Sequence, residues 1–282
     1  MHVRTFLLRA AVLAGALSTM SASAVAQRDV REWQQDLHDW VDQCRSWGDN
    51  DSGDRYRVCD VRQQTMPASG RTIAVDAGEN GGISVTAWDG DSVLIGAKVQ
   101  ASAPSDAEAK EIASQVHIVR DGGRIRAEGP AHRSRTSWSV SFELLVPRRS
   151  DLSLDANNGG IHVADVQGRM ELSTTNGGIH LDGVGGNVHG HTTNGGLDIR
   201  LSGQRWSGDG LNVTTTNGGV RLQVPRDYSA QLETGTVNGG MNIDFPVTVQ
   251  GRIGRRLSAQ LGAGGPTIRA TTTNGGVSIR RG

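Results

Sequence analysis

The chain of 282 residues is poor in cysteine, lysine and aromatic side chains. Its two cysteines exclude a disulfide-rich small domain, and they lack the Cys-x-x-Cys spacing of a redox site. Aromatic residues make up only 4% of the composition, so few side chains are available to stack on sugar rings. The formal net charge is zero, and general nucleic-acid binding needs a basic surface. We therefore expect no nucleic-acid partner.

The first 26 residues have the pattern of a secretory signal peptide. Arg4 precedes an apolar run over residues 6–17 that is interrupted only by Arg9, and Ala24-Val25-Ala26 provides a small-residue cleavage site before Gln27. After Gln27 no apolar run approaches the roughly 18 residues that a membrane-spanning helix needs. We expect an exported protein, periplasmic, on the cell surface or extracellular, with no transmembrane segment after signal cleavage.

Residues 27–66 are predicted to form an amphipathic helix and a disulfide loop. Trp33, Leu37 and Cys44 recur at helical spacing with charged residues between them. Cys44 and Cys59 are the only cysteines, and an even count in an exported chain favours one structural disulfide over a reactive thiol or a metal site. This bond would close a loop of about 15 residues and contribute about 3 kcal/mol by restricting the unfolded chain.

Residues 67–147 read as short strands separated by Gly and Asp turns. Ser105 and Glu108 predict one capped helix among these strands. We interpret this region as a β-rich cap, because the first unit of the repeat region that follows, residues 148–282, would otherwise expose a bare strand edge.

The tripeptide Asn-Gly-Gly occurs seven times, each time before a short alternating apolar stretch. Its asparagines are Asn80, Asn158, Asn176, Asn194, Asn217, Asn238 and Asn274. The positions three and five residues after each asparagine are always apolar, and the position between them is polar and variable. Two residues before the asparagine, five of the last six repeats have Thr on the apolar parity. This alternation predicts strands with one buried and one wet face, and a threonine ladder beside the turn.

Two geometries fit the Asn-Gly-Gly turn. It could close an antiparallel hairpin, for which Asn-Gly is a strong local signal, or it could form one corner of a solenoid with identical corners stacked about 4.8 Å apart. Both explanations assume positive φ, which Gly adopts freely and Asn tolerates. The spacing of 18 residues from Asn158 to Asn176 and from Asn176 to Asn194 suits two short strands and two turns. We prefer the solenoid, with the asparagines as structural turns.

Tandem Thr-Thr-Asn-Gly-Gly units, with Val-Pro-Arg strand ends at Val146-Pro147-Arg148 and Val224-Pro225-Arg226, resemble the bacterial adhesin-like β-strand-repeat family. The resemblance covers about residues 70–280. This is a domain family of unknown function, and the resemblance implies a single-stranded right-handed β-helix without a catalytic motif. We therefore predict an all-β fold: a right-handed β-solenoid or β-helix-like repeat with a β-rich N-terminal cap and a short N-terminal α-helix.

His162, His180 and Asp198 occupy the same outward position in consecutive repeats. Stacked strands would place neighbouring members about 5 Å apart, which allows two imidazoles and a carboxylate to share a metal ion. The alternative is a solvated strand face, because Arg221 and Ser278 continue the column without metal-binding chemistry. These three residues are the best metal-ligand candidates in the sequence, but we expect neither a metal nor a cofactor.

The repeats favour binding over catalysis. A polysaccharide-active β-helix enzyme, the alternative function, would need paired carboxylates in a groove, and outward carboxylates are sparse. Trp206, in the loop inserted at residues 202–210, is the exceptional aromatic candidate for a sugar platform, or else an anchor of that loop. We predict an exported, non-enzymatic scaffold, an adhesin or envelope-associated binding protein with an envelope, glycan or protein partner.

Overall fold

A computed structural model describes the backbone of residues 22–49, 55–131, 133–244 and 255–282. Residues 1–21 of the predicted signal peptide lie outside this range, so signal cleavage stays a prediction. The described chain consists of strands and two helices, α1 (Ala22–Asp49) and α2 (Asp106–Gln115). The predicted all-β class is therefore confirmed, with a helix near the N-terminus.

Seven strand pairs, one strand on each side of an Asn-Gly-Gly turn, form the repeats. In chain order the pairs are β2 (Ile73–Asp76) with β3 (Ile83–Trp88), β8 (Leu152–Ala156) with β9 (Ile161–Ala164), β10 (Gln167–Thr174) with β11 (Ile179–Asp182), β12 (Gly185–Asn194) with β13 (Leu197–Arg200), β14 (Gly210–Asn217) with β15 (Val220–Val224), β16 (Ala230–Asn238) with β17 (Met241–Ile243), and β19 (Thr267–Asn274) with β20 (Val277–Arg281). The remaining strands are β1 (Tyr56–Pro67), β4 (Ser92–Ala103), β5 (His117–Asp121), β6 (Arg124–Glu128), β7 (Ser137–Pro147) and β18 (Arg256–Leu261).

The two strands of each repeat belong to different sheets. The second strands form sheet I, and the first strands form sheet II. Within each sheet the repeats pair in parallel and in register, so that Ile179 lies between Ile161 and Leu197. A hairpin meander would pair antiparallel strands, so this pairing excludes the meander. The inward side chains of both sheets form one continuous apolar core.

The repeats do not stack in chain order. The last pair, β19 and β20, lies between β14–β15 and β16–β17, so the C-terminal repeat is inserted between the two repeats that precede it. Strand β18 pairs antiparallel with the outer side of β16.

Further strands extend both sheets at the N-terminal end of the stack: β7 and β6 pair in parallel with the first repeat, and the strands beyond them pair antiparallel. In sheet I the order is β1, β4, β7 and then β3, and in sheet II the strands β5 and β6 lie beyond β2. The predicted cap at residues 67–147 thus includes the first repeat, β2 and β3, which pairs in parallel with β8 and β9. Strand β1 lies where only a helix and a disulfide loop are expected from the sequence. The domain boundaries themselves stay a prediction.

Helix α1 packs on the outer face of this N-terminal extension. Trp33 and Leu37 are buried and form a small second core with Trp88 and Leu145 of sheet I. The predicted disulfide between Cys44 and Cys59 is present, with the Cα atoms 6.2 Å apart, and it joins α1 to β1. Helix α2 begins as predicted, with the Ser105 hydroxyl accepting a hydrogen bond from the Glu108 amide at 3.2 Å.

The first repeat contains one additional residue before its turn. Ile73 and Val75 pair with Leu152 and Leu154, although they lie one residue further from their asparagine than the equivalent residues of later repeats. The extra length is accommodated at Gly78, which has a φ of +65°. The register shift seen in the sequence is therefore confined to the turn.

Candidate binding groove

The seven turn asparagines form one ladder along a corner of the stack. In each step the side-chain Nδ2 of one asparagine donates a hydrogen bond to Oδ1 of its neighbour. The donor–acceptor pairs are Asn158 to Asn80 at 3.2 Å, Asn176 to Asn158 at 2.7 Å, and Asn194 to Asn176, Asn217 to Asn194, Asn274 to Asn217 and Asn238 to Asn274, each at 2.8 Å. The asparagine amides are therefore occupied by one another.

Positive φ does not explain the turn, and the expectation from sequence was wrong on this point. Among the Asn-Gly-Gly residues only Gly275 has such an angle, at +158°, which is close to extended backbone. The first glycine is required by the close approach of stacked backbones instead. A Cβ added at Gly195 would lie 1.9 Å from the Gly177 carbonyl oxygen, and one at Gly218 would lie 2.0 Å from the Gly195 oxygen.

The buried threonines bond to these same carbonyl groups. The hydroxyls of Thr192 and Thr215 donate to the carbonyl oxygens of Gly177 and Gly195, each at 2.7 Å. Both threonines are almost fully buried. The predicted threonine ladder is present, and its hydroxyls bond to the turn backbone of the neighbouring repeat.

The second glycine has more space than the first, and the space differs between turns. At Gly82, Gly160, Gly178 and Gly219 an added Cβ would lie 3.2, 3.3, 3.1 and 3.3 Å from a carbonyl oxygen of the neighbouring repeat, whereas the other three turns leave more room. An added Cβ would lie 3.4 Å from the nearest atom at Gly196 and 3.5 Å at Gly276, and it would meet nothing within 4 Å at Gly240. These three glycines are exposed. Their conformation and packing therefore leave room for a side chain, yet every repeat has glycine here. We did not identify this column of second glycines from the sequence. The available signal was their position two residues after each asparagine, which places them on the same outward face as that asparagine.

The second glycines line a groove on the outer face of sheet I, which we call the glycine groove. Its volume is about 730 Å³. It is lined by the following second glycines in spatial order: Gly178, Gly196, Gly219, Gly276 and Gly240. Because the repeats stack in register, the groove runs across the strands and presents the same backbone groups about every 4.8 Å.

A column of polar side chains lines one side of the glycine groove. The column consists, in spatial order, of His162, His180, Asp198, Arg221, Ser278 and Asn242, of which all but His162 line the described cavity. It presents donors, acceptors and both signs of charge. Such a surface can form hydrogen bonds along an extended polar ligand.

The three metal-ligand candidates lie together in this column but do not form a metal site. His180 pairs in register with His162 on one side and with Asp198 on the other. The two imidazole rings meet edge to face, with centroids 6.3 Å apart. Desolvation, with a smaller contribution from nearby His180, lowers the pKa of His162. In the described parts of the chain, no group of three His, Cys, Asp or Glu side chains could hold a metal ion.

A second groove lies on the outer face of sheet II, with a volume of about 860 Å³. Outward threonines of neighbouring strands line it, including Thr214, Thr216 and Thr271. At one side Arg269 forms an ion pair with Glu233. This surface has hydroxyl groups in place of the bare glycine floor of sheet I.

Trp206 does not provide a platform for sugars. Its side chain is 3% exposed, and its indole Nε1 donates a hydrogen bond to the Gly186 carbonyl at 3.0 Å. The tryptophan therefore anchors the inserted loop to sheet II.

No helix among the described residues is long and apolar enough to cross a membrane.

Solved structures similar to this chain come from bacterial proteins described as proposed adhesins. One, a proposed cell adhesion protein from Clostridium sporogenes, is 11% identical, with a TM-score of 0.41 over 79% of this chain and 100% of that chain. A proposed adhesin from Bacteroides fragilis is also 11% identical, with a TM-score of 0.34 over 79% of this chain and 97% of that chain. Among curated proteins, none matches the chain.

The family comparison agrees with the repeats described above. The Toastrack DUF4097 family matches residues 69–280, a range that begins before the first repeat and ends in the last strand. The resemblance to adhesin-like repeat proteins, noted in the sequence over about residues 70–280, is confirmed by this match. The chain belongs to the Toastrack DUF4097 family.

Proposed function

We propose that this protein is an exported, non-enzymatic binding scaffold whose glycine groove holds a linear glycan of the cell envelope. The observation that carries the proposal is the second glycine. It is present in all seven repeats, although neither φ nor backbone packing demands it at Gly196, Gly276 or Gly240. Because glycine has no side chain, a ligand that lies along the glycine groove can approach the backbone closely in every repeat.

The spacing of the groove supports a glycan more than a peptide. An extended peptide advances about 3.3 Å per residue, which is out of step with strands about 4.8 Å apart. A sugar unit in an extended chain advances by nearly one strand spacing, so successive sugars can meet equivalent groups of successive repeats. Asp198, Arg221 and Asn242 supply donors and acceptors for sugar hydroxyls.

The expected affinity is modest for each repeat and higher for the whole groove. The residues that line it include no Phe, Trp or Tyr, so hydrogen bonds have to provide most of the recognition. Hydrogen bonds to solvent-exposed groups contribute little individually. A ligand that engages several repeats at once gains from effective concentration. Longer oligosaccharides should therefore bind more tightly than shorter ones of the same composition.

The winding and the location of the scaffold belong to the same proposal. We infer a right-handed solenoid, since parallel strands joined by a crossover almost always adopt that hand. Export rests on the signal-peptide pattern in residues 1–26. Protease accessibility of the protein on intact cells separates a surface location, which predicts cleavage, from a periplasmic one, which predicts protection.

A glycan array with the mature protein tests the function. We expect binding to linear envelope-type glycans, with affinity that rises with chain length, and no shortening of the bound glycan by mass spectrometry. Release of glycan fragments would replace the scaffold with a polysaccharide-active enzyme. Failure to bind any linear glycan would overturn the proposed ligand class.

A further inference from the structure

We propose that Asn238-Gly239 is a site of spontaneous deamidation in the folded protein, that the five interior Asn-Gly steps are protected by the asparagine ladder, and that the step at Asn80 is protected by strand β7. In this reaction the backbone nitrogen of Gly239 attacks Cγ of Asn238. Ammonia leaves and a cyclic succinimide forms. Water then opens the ring to aspartate or isoaspartate. The reaction requires a free side-chain amide, an available backbone nitrogen and local freedom to bring the two together.

The side chains of the interior asparagines are held from both sides. Asn194, for example, donates through Nδ2 to Asn176 and accepts at Oδ1 from Asn217, each at 2.8 Å. For the backbone nitrogen of Gly195 to attack Cγ of Asn194, the asparagine side chain would have to rotate out of the ladder. Both hydrogen bonds would have to break first, and these bonds therefore slow the reaction.

Several backbone nitrogens of the interior turns are also occupied. The amide of Gly195 donates to the Asn217 carbonyl at 3.0 Å, and the amide of Gly218 donates to the Asn274 carbonyl at 3.0 Å. An amide nitrogen that donates in this way is less available as a nucleophile. At these turns both partners of the reaction are held by the neighbouring repeat.

Asn238 lies at the open end of the ladder. Its Nδ2 donates to Asn274 at 2.8 Å, but no described residue donates to its Oδ1. The Gly239 amide likewise has no acceptor among the described residues. Both residues are exposed, and a Cβ at the next residue, Gly240, would meet nothing within 4 Å. An added Cβ at Gly239 would lie 2.0 Å from the Gly275 carbonyl oxygen, so this glycine packs as closely as the other first glycines. It differs from them in its exposure, because Gly239 is the exposed one of the seven first glycines.

The opposite end of the ladder is covered. Asn80 also has only one ladder bond, but its turn lies against β7. Gly81 is buried, whereas Gly239 is exposed, and the Ser141 hydroxyl accepts a hydrogen bond from the Gly82 amide at 3.1 Å. The backbone of this turn therefore cannot move as freely as that of Asn238.

Deamidation would change the end of the stack. A carboxylate at position 238 cannot donate to Oδ1 of Asn274, so the last ladder bond would be lost and a negative charge would face an acceptor oxygen. The modification would place this charge beside Gly240, at the end of the glycine groove.

Peptide mapping by mass spectrometry tests the proposal on the folded full-length protein during incubation at mildly alkaline pH. We expect Asn238 to deamidate on the order of tenfold faster than Asn80, Asn194 or Asn217, the ratio that corresponds to the net stability of one or two hydrogen bonds. In the urea-unfolded protein the seven sites should react at similar rates. The N238Q variant should lose the fast phase and leave the other sites unchanged.

Two results would overturn this assignment. One is an Asn238 that deamidates no faster than the interior asparagines in the folded protein. The other is a rate difference that persists after unfolding in urea, because it would then come from the local sequence and not from the ladder.

Discussion

The two glycines of each turn face different neighbours, and this difference predicts that the same substitution destabilises the fold much more at the first glycine than at the second. Gly195→Ala would place its Cβ 1.9 Å from the Gly177 carbonyl oxygen, and Gly196→Ala would place its Cβ 3.4 Å from the nearest atom. We expect the first change to lower the free energy of unfolding by about 3 kcal/mol or more through overpacking, and the second by less than about 1 kcal/mol. Urea unfolding of the two matched variants measures this directly. Equal effects would contradict the close-stacking explanation.

The buried threonines stabilise the stack through their hydroxyls. Thr215→Val retains the shape of the side chain but removes the donor to the Gly195 carbonyl, which then stays buried without that bond. We expect a loss of about 1–2 kcal/mol in urea unfolding. Thr216→Val, on the outward parity of the same strand, is the control and should be nearly neutral. A harmless Thr215→Val would show that the threonine ladder contributes only by packing.

We expect the ionised carboxylate of Asp155 to weaken the fold at neutral pH. Desolvation, with repulsion from Asp76 as a smaller cause, raises the pKa of Asp155. A carboxyl group whose pKa is higher in the folded state destabilises the fold where it is ionised, and this penalty disappears as the pH falls below the ordinary aspartate range. Asp155→Asn should therefore raise the urea midpoint at pH 7 and have no such effect near pH 3.

The control for this pH dependence is Asp227→Asn, which changes an exposed carboxylate in the loop after Pro225. It should leave the urea midpoint unchanged at both pH values. If Asp155→Asn stabilised the protein equally at pH 7 and pH 3, ionisation of Asp155 could not be the cause of the effect.

At the scale of elements, the disulfide holds α1 to the sheet. The helix contacts the rest of the chain through a small core around Trp33 and Leu37, so the covalent bond to β1 is a large part of its attachment. The double variant C44S/C59S should lose about 3 kcal/mol of unfolding free energy, and hydrogen exchange should become faster in α1. Reductant should reproduce this loss in the wild type and have no effect on the variant. Unchanged exchange in α1 would show that its apolar contacts suffice.

The sequence predicted the elements whose side chains alternate strictly. The repeat strands, the helix capped by Ser105 and the disulfide were all evident, because burial on one face or an even cysteine count imposes a clear pattern. Strand β1 was missed because it is a polar edge strand with few buried side chains. The glycine groove was missed because a residue without a side chain gives no hydropathy signal, and its meaning depends on distances to the next repeat.

At the scale of the molecule, the C-terminal repeat connects β16 and β17 to the rest of the stack. Strands β19 and β20 each pair with two neighbours, and β17 pairs only with β20. A chain that ends at residue 265 lacks β19 and β20, and it should therefore lose hydrogen-exchange protection in β16 and β17. A chain that lacks only Arg281 and Gly282 should retain it. Protection of β16 and β17 in the shorter chain would indicate that they stack directly on β14 and β15.

The spatial order of the repeats could not be derived from the sequence. Each repeat presents nearly the same apolar columns, Asn-Gly-Gly turn and threonine to its neighbours, so periodicity predicts that repeats stack but not which ones meet. The order is evident only from the strand pairing, in which β19 and β20 lie between β14–β15 and β16–β17. For the same reason the sequence could not show which turn lies at the end of the asparagine ladder.

The central claim is that the bare floor of the glycine groove serves ligand binding. The most direct measurement is a calorimetric titration of an array-selected linear glycan into the wild type and the G196T/G276T variant, which fills the groove at two positions with room for a side chain. The T214A/T271A variant, which changes the outer face of sheet II, is the matched control. We predict that G196T/G276T folds with nearly wild-type stability and loses at least tenfold in affinity, whereas T214A/T271A binds normally. Undiminished binding by a folded G196T/G276T protein would contradict the account.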